Sequence, residues 1–141
     1  MAIIVGLSDT ALGQLAVERA AHEAATRKQP LVLTVGVQMR RNEEDARSYP
    51  ERRRQADEQL QEKAEELRAG GIEVIPYTPS VPTSPAEAIL EAAREHDGQL
   101  IVVGIRRRSP VGKAFLGSTS QDVLLEADCE VLGVKLPQDA D

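Results

Sequence analysis

The chain has 141 residues, enough for one domain with one core, and its 41% hydrophobic and 28% charged residues are a globular composition. With no Trp, one Phe and two Tyr it lacks an aromatic platform for single-stranded nucleic acid, and a net charge of −6 argues against duplex binding over the whole surface. The lone Cys129 excludes an internal disulfide and fits a reducing compartment. We therefore expect a single domain over 1–141, located in the cytoplasm, since no segment has the pattern of an export signal or a membrane span.

Strands and helices are predicted to alternate along the first half of the chain. The apolar run 2–7 predicts a strand, and the small apolar residues that follow at helical spacing predict a helix. Residues 31–37 form a second apolar run without polar alternation, which is typical of a strand buried on both faces. We then expect a polar loop over 38–47 and a helix that begins at Ser48, with a proline in its first turn, and ends at Gly70.

The second half continues the alternation. Residues 72–77 predict a third strand, and the prolines of 78–83 exclude regular structure there. Ser84 carries the next helix-capping signal. The remaining elements are predicted at 99–104 for the fourth strand, 118–127 for the fourth helix and 130–136 for the fifth strand. Five strands separated by four helices predict an α/β fold, a doubly wound parallel sheet with helices on both faces.

The loop between the fourth strand and the fourth helix predicts an anion site. Ligands of such sheets bind beyond the carboxyl ends of the strands, where the strand order reverses, and a helix start offers free backbone N–H groups. Gly104 ends the strand, Gly117 precedes the helix, and Ser118 with Gln121 forms a capping-box pattern. Phosphate is the ligand that this pattern favours. Local positive charge comes from Arg106, Arg107, Arg108 and Lys113.

Over nearly its whole length, the chain resembles the universal stress protein family. The family's signature is a glycine after the fourth strand, a second glycine three positions on, and a Gly-Ser or Gly-Thr pair ten positions later. Gly104 and the pair Gly117-Ser118 match, whereas Arg107 stands in the place of the second glycine. Further similar segments are 84–89, 100–104 and 127–132. The resemblance implies an adenine nucleotide alpha hydrolase-like fold with strand order 3-2-1-4-5 and ATP, alone or with Mg²⁺, in the crevice.

The resemblance also implies where the nucleotide contacts lie. Nucleotide-binding relatives carry an Asp after the first strand, beside the adenosine; here Ser8 stands at that position, and a hydroxyl bonds more weakly than a carboxylate. Val37 stands where relatives offer backbone to the adenine. At Arg107, either the loop takes another path or the guanidinium replaces backbone contacts with a bidentate grip on phosphate. The candidate contacts are Ser8, Val37, Val103, Gly104, Arg106, Arg107, Gly117, Ser118 and Thr119.

Structural roles are an alternative for several of these residues. Ser8, Asp9 and Thr10 are good helix-capping residues, Gly117-Ser118 could simply start a helix, and Val37 could belong to the core. Two functions therefore stay open. The first is an adenine-nucleotide binding module with a stress-response or regulatory role, acting through a homodimer that the family implies at the last strand. The second is an interaction protein of the same fold that binds no nucleotide.

Catalytic patterns are missing from the sequence. There is no Ser-His-Asp or Cys-His arrangement at suggestive positions, and His22 and His96 are far apart without a cysteine partner. Gly112-Lys113 is not a Walker loop, because Arg107 and Ala114 occupy positions where that loop needs Gly and Ser or Thr. At most we expect slow ATP hydrolysis; an enzyme of the wider alpha-hydrolase-like group is a third, weaker hypothesis. Cys129 is expected to be a buried, inert thiol.

Overall fold

The computed structural model describes residues 1–39, 42–106 and 116–137. Within them, five strands and four helices alternate, and the strands form one parallel sheet in the order β3-β2-β1-β4-β5. The doubly wound α/β fold and its strand order are therefore as predicted. The elements are β1 (Ala2–Gly6), α1 (Ala11–Arg27), β2 (Leu31–Thr34), α2 (Glu43–Ala69), β3 (Val74–Tyr77), α3 (Pro85–Glu95), β4 (Gly98–Gly104), α4 (Ser118–Glu126) and β5 (Glu130–Val134).

Two aliphatic cores lie on opposite faces of the sheet. Successive side chains of a strand point to opposite faces, so Ile3 and Val5 of β1 pack on the side of α1 and α2, while Ile4 packs on the side of α3 and α4. All three are fully buried. This burial on both faces is why the parallel strands appear in the sequence as continuous apolar runs.

The second strand is shorter than the sequence predicts, because it ends at Thr34 rather than at residue 37. Thr34 is fully buried, and its Oγ1 donates to the carbonyl of Tyr77 at 2.7 Å. Beyond it the chain turns against the segment before α3, where a Cβ on Gly36 would lie only 2.5 Å from the carbonyl oxygen of Ser84. Only glycine allows that approach. The chain therefore leaves the sheet before Val37.

The start of α2 differs from the prediction. The helix begins at Glu43, so the second half of the loop expected over 38–47 is helical, and the expected cap at Ser48 is wrong. Ser48 lies inside the helix, where its Oγ accepts from Arg52 Nε at 3.2 Å, and Pro50 lies inside it as well. An interior proline removes one helix hydrogen bond and commonly costs about 3 kcal/mol, which is why the sequence pattern favoured a start close to it.

The length of α2 carries it beyond the sheet. Its 27 residues make a helix of about 40 Å, far longer than the four-residue strands β2 and β3 beside it. Leu60 and Ala64, in the second half, are buried against the sheet. The first half therefore projects past the carboxyl ends of β2 and β3. Although α2 is the longest helix in the described ranges, neither it nor another helix there is long and apolar enough to cross a membrane.

Candidate functional site

The crevice predicted from the sequence lies at the carboxyl ends of β1 and β4. β1 pairs with β2 on one side and with β4 on the other, so the strand order reverses at this point. The last paired residue of β1 in this register is Val5, opposite Val102, whereas β4 continues to Gly104, opposite Val134 of β5. The end of β4 therefore stands beyond the end of β1 and forms one side of the crevice.

Beside the end of β4, the loop after β1 places Ser8 shortly before the start of α1. Thr10 is the N-cap of α1, and its Oγ1 accepts from the backbone N–H of Gly13 at 3.0 Å. The Ser8 hydroxyl lies 3.1 Å from Thr10 Oγ1 and 3.4 Å from the Thr10 backbone nitrogen. A Cβ on Gly13 would lie 2.6 Å from Ser8 Oγ, so glycine lets the loop fold onto the helix. Ser8 is exposed at the crevice, but its hydroxyl takes part in the helix cap.

At the end of β4, Gly104 is packed against α1. A Cβ there would lie 2.6 Å from Leu12 Cγ, which accounts for the glycine. The preceding Val103 is 4% exposed with its side chain in the core, so it can meet a ligand only through its backbone. The Ile105 N–H continues the strand ladder to the Val134 carbonyl at 2.7 Å, and Arg106 then carries its side chain into solvent. Arg107, Arg108 and Lys113 lie outside the described residues.

The start of α4 corrects the predicted capping box. Gly117, with φ −66° and ψ 160°, is the N-cap, and its carbonyl accepts from the N–H of Gln121 at 2.9 Å. Ser118 is the first helical residue, so it cannot supply the cap hydroxyl. Because a glycine cap has no side chain, it does not occupy the first N–H groups of the helix, which carry the positive end of the dipole. Ser118 is exposed and Thr119 is half-buried beside it.

A residue that the sequence analysis missed connects these two parts. Ser120 is buried, and its Oγ donates to the Gly104 carbonyl at 2.7 Å. This bond ties the first turn of α4 to the end of β4 and brings the two matched pieces of the glycine signature together. The available signal was its place three residues before the buried Val123, on the same face of the helix.

On the other side of β1, the loop after β2 forms a second boundary of the carboxyl edge. Val37 is half-buried and three residues beyond the strand, and its carbonyl accepts from the Thr83 N–H at 2.9 Å. The carbonyl of the next residue, Gln38, accepts from Arg52 Nη1 at 2.9 Å. The structure thus separates the candidates into a group at β4 and α4 and a single loop at β2, with Ser8 at the end of the strand between them.

Cys129 lies at the opposite end of the sheet. A cleft of about 250 Å³ between the C-terminal ends of α3 and α4 includes Cys129 and Arg94 among its lining residues. The thiol is half-buried rather than buried as predicted. Burial, together with the negative charges of Asp128 and Glu130, raises the pKa of Cys129 above its usual value, which favours the unreactive thiol. Within the described ranges, no three His, Cys, Asp or Glu side chains converge on a metal position.

Comparison with known proteins agrees with this architecture. The model of the universal stress protein family matches residues 1–135. The chain belongs to the universal stress protein family. A universal stress protein of Mycolicibacterium smegmatis is 33% identical over 133 residues, which are 94% of this chain and 96% of that protein. The family resemblance and the fold it implies are therefore confirmed.

Two solved relatives of this universal stress protein contain nucleotides. The universal stress protein of Archaeoglobus fulgidus in complex with dAMP is 26% identical, with a TM-score of 0.70, and the alignment covers 96% of this chain and 98% of that one. A universal stress protein in complex with cAMP is 25% identical, with a TM-score of 0.67 and coverage of 97% and 98%. Some structural neighbours of this universal stress protein therefore bind adenine nucleotides.

Proposed function

We propose that this universal stress protein binds an adenine nucleotide in the crevice between β1 and β4, with the phosphates at the N-terminus of α4. The observation that carries the proposal is the Ser120–Gly104 bond, which holds a helix start at the end of β4, where the N-cap Gly117 has no capping side chain. The backbone N–H groups and the dipole of a helix start favour an anion there. The dAMP and cAMP complexes of two relatives support an adenine nucleotide as that anion.

Within this proposal, ATP is the finer assignment. Its triphosphate carries more negative charge than the monophosphates of dAMP and cAMP. In a chain whose net charge is −6, binding it requires positively charged side chains beside the phosphates. Arg106, exposed two residues after β4, is proposed to supply positive charge on the phosphate side of the crevice, and Arg107 is proposed as a second source. Mg²⁺, where present, is held chiefly by the phosphates and water.

The remaining candidates take backbone or weak polar roles in the proposed complex. Gly104 and Val103 offer backbone at the end of β4, and Gly117, Ser118 and Thr119 offer the helix N–H groups. Val37 belongs to the loop after β2, on the side of the crevice where the proposed complex has its base. A Ser8 hydroxyl that already takes part in the α1 cap adds less than the Asp of nucleotide-binding relatives.

A homodimer formed through β5, acting in the cytoplasm in a stress-response or regulatory role, completes the proposal. β5 is an edge of the sheet, and three of its five residues, Val131, Leu132 and Gly133, are half-buried. An unpaired strand edge is a ready template for a second strand. A dimer joined there leaves the proposed crevice in each copy at the carboxyl edge.

The second candidate function is an interaction protein that binds no nucleotide. The observation that favours it is the contact of Ser8 with Thr10, since the side chain at the adenosine position then bonds to the N-cap residue of α1 rather than to a ligand. This function and the first make opposite predictions about ligand-dependent stability.

The deciding experiment is the melting temperature of the purified chain with and without Mg·ATP, together with chromatography of any nucleotide released by acid. Ligand at a hundredfold excess over Kd stabilises by about 2.7 kcal/mol, so we expect the melting temperature to rise by about 5 °C or more. An unchanged melting temperature, with no released adenine nucleotide, would contradict the proposal and favour the interaction protein.

A charge variant locates the site in the same assay. Asp is a better N-cap residue than Gly, so Gly117→Asp preserves or strengthens α4 while it adds a negative charge and occupies the helix N–H groups. We expect this variant to fold and to lose the ATP-dependent shift. The control is Gln61→Glu, which adds the same charge on an exposed position of α2 and is expected to keep the shift. Equal shifts in both variants would exclude the start of α4 as the phosphate position.

A further inference from the structure

The projecting half of α2 holds two loops through consecutive arginines. Arg52 Nη1 donates to the Gln38 carbonyl at 2.9 Å, in the loop after β2, and Arg53 Nη1 donates to the Ser80 carbonyl at 2.9 Å, in the segment after β3. Both arginines are half-buried. The two carbonyls lie 14 and 27 residues away along the chain, so each bond is a tertiary tie rather than a helix contact.

The same two loops are also joined to each other. The Val37 carbonyl accepts from the Thr83 N–H at 2.9 Å, and the backbone of Gly36 packs directly on Ser84. Thr78 Oγ1 donates to Asp57 Oδ1 at 2.8 Å, which ties the beginning of the second segment to α2 once more. We call this unit the α2 wall: Arg52, Arg53 and Asp57 of α2 with the segments 35–39 and 78–84. It bounds the carboxyl edge on the β2 and β3 side.

The next residue, Arg54, makes no such bond to a loop carbonyl in the part of the chain that the structure describes. Arg54, on the same helix, pairs with Glu51 and Glu58, and all three side chains are exposed. Exposed pairs of this kind contribute little to stability. Arg52 and Arg53 also contact side chains of their own helix, Ser48 and Asp57, but each directs a further guanidinium N–H to a backbone carbonyl of a loop. Charge-assisted bonds from a planar, preorganised fork fix the position of the accepting peptide more closely than a neutral bond does.

In the proposed complex, the α2 wall lies on the side of the crevice that receives the base. With phosphates at the start of α4, beside β4, the rest of the nucleotide extends across β1 toward β2. Backbone N–H and C=O groups in the loop after β2 are then available to the base. Adenine and guanine present different donors and acceptors on their edges, so backbone groups held in fixed positions discriminate between them.

We propose that Arg52 and Arg53 are positioning residues that set the base preference of the crevice by holding the segment 35–39 in place. Arg52 holds it directly, and Arg53 holds it through the segment 78–84, to which it is hydrogen-bonded. The inference rests on the proposed function, since it needs a bound nucleotide. It differs in what it predicts: loosening the α2 wall lowers discrimination between bases, while the phosphate end of the crevice is left intact. A role confined to stability would change the melting temperature without changing that discrimination.

The test uses the full chain and three probes, which are ATP, GTP and inorganic tripolyphosphate, with affinities measured by calorimetry. The variants are Arg52→Gln and Arg53→Gln, and the matched control is Arg54→Gln, which removes the same charge from the same helix. We expect the ratio of ATP to GTP affinity to fall roughly fivefold or more in the first two variants, as the loss of one well-placed hydrogen bond implies, with tripolyphosphate affinity unchanged. Arg54→Gln keeps the wild-type ratio.

The outcomes separate the two proposals. A wild-type chain that binds none of the probes overturns the proposed function and the inference with it. A wild-type chain that prefers ATP, with the same preference in Arg52→Gln and Arg53→Gln, overturns the inference alone, as does a wild-type chain with no base preference. An equal loss for all probes in all three variants also overturns it, because general electrostatics would explain that result. Arg52→Lys and Arg53→Lys keep the charge and a donor but not the planar fork. If a glutamine variant fails to fold, the lysine variant at the same position replaces it; a lowered ratio of ATP to GTP affinity then supports the inference, and an unchanged ratio overturns it.

Discussion

At the scale of single residues, Ser120 has a role in stability as well as in the site. Its buried Oγ satisfies the Gly104 carbonyl, at the end of the strand on which the crevice is built. Removing one partner of such a bond commonly costs about 1–3 kcal/mol, because the other group is left less well satisfied. The same bond holds the N-terminus of α4 at the end of β4, so its loss also affects the geometry of the proposed phosphate position.

We therefore expect Ser120→Ala to lower the free energy of unfolding by about 1–3 kcal/mol in urea denaturation of the ligand-free chain. Ser118→Ala is the control, because Ser118 is an exposed serine in the same turn. We expect that control to change stability by less than about 0.5 kcal/mol. Comparable losses in the two variants would contradict a special role for the Ser120–Gly104 bond.

At the scale of secondary-structure elements, Pro50 weakens the projecting half of α2. It occupies the eighth position of the helix and has no N–H to bond to the Ala46 carbonyl. Pro85, in contrast, is the first residue of α3, where a missing N–H costs nothing because the first N–H groups have no intrahelical partner. The two prolines therefore provide a matched comparison on one chain.

Substituting Pro50→Ala restores the missing bond and removes the clash of the ring with the preceding turn. We expect slower hydrogen exchange of the amides over 46–54, where the helix runs without interruption in the variant. Pro85→Ala is expected to give no such gain at the start of α3. If exchange over 46–54 is the same in Pro50→Ala as in the wild type, Pro50 does not weaken this half of α2, and the hydrogen bonds from α2 to the loops determine its stability instead.

Element boundaries show what local sequence could and could not predict. The start of α3 was predicted because its cap is formed by neighbouring residues of the sequence: Ser84 Oγ accepts from the Glu87 N–H at 3.1 Å, and Pro85 is the first helical residue. The start of α4 at residue 118 was predicted, but its N-cap was misplaced by one residue because Gly117 and Ser118 are both acceptable N-caps, and only the backbone angles distinguish them. The start of α2 was missed because Pro50 is a local penalty that contacts elsewhere in the chain outweigh.

The site divides in the same way. Gly104 and Gly117 could be identified because their spacing is a local pattern and the ends of parallel strands meet at one edge of the sheet. The hydrogen bonds from Arg52 and Arg53 could not be identified from the sequence. Their acceptors are backbone carbonyls 14 and 27 residues away, and a backbone carbonyl is present whatever the residue type. The five strands were recognisable as apolar runs, whereas their order followed from the family resemblance.

At the scale of the whole molecule, the two edges of the sheet are not equivalent. On the β3 edge, Pro76 has no N–H to offer a second strand, and the Val74 carbonyl already accepts from Arg68 Nη2 at 2.8 Å. Proline on an edge is a common protection against pairing. The sequence of β5, over Glu130–Val134, contains no proline. The difference favours β5 as the edge through which a second copy of the chain pairs.

A pair of matched substitutions tests this asymmetry. Val131 of β5 and Ile75 of β3 are half-buried apolar residues on the same face of the sheet, one at each edge. Lysine at either position keeps its charged end in water by extending along the surface, and we expect both Val131→Lys and Ile75→Lys to lose some stability. Only Val131→Lys is expected to shift a micromolar sample from dimer to monomer in sedimentation velocity, because a charge on the β5 edge then faces its own copy. A wild-type monomer would contradict the proposed dimer, and dissociation of Ile75→Lys alone would move the interface to β3.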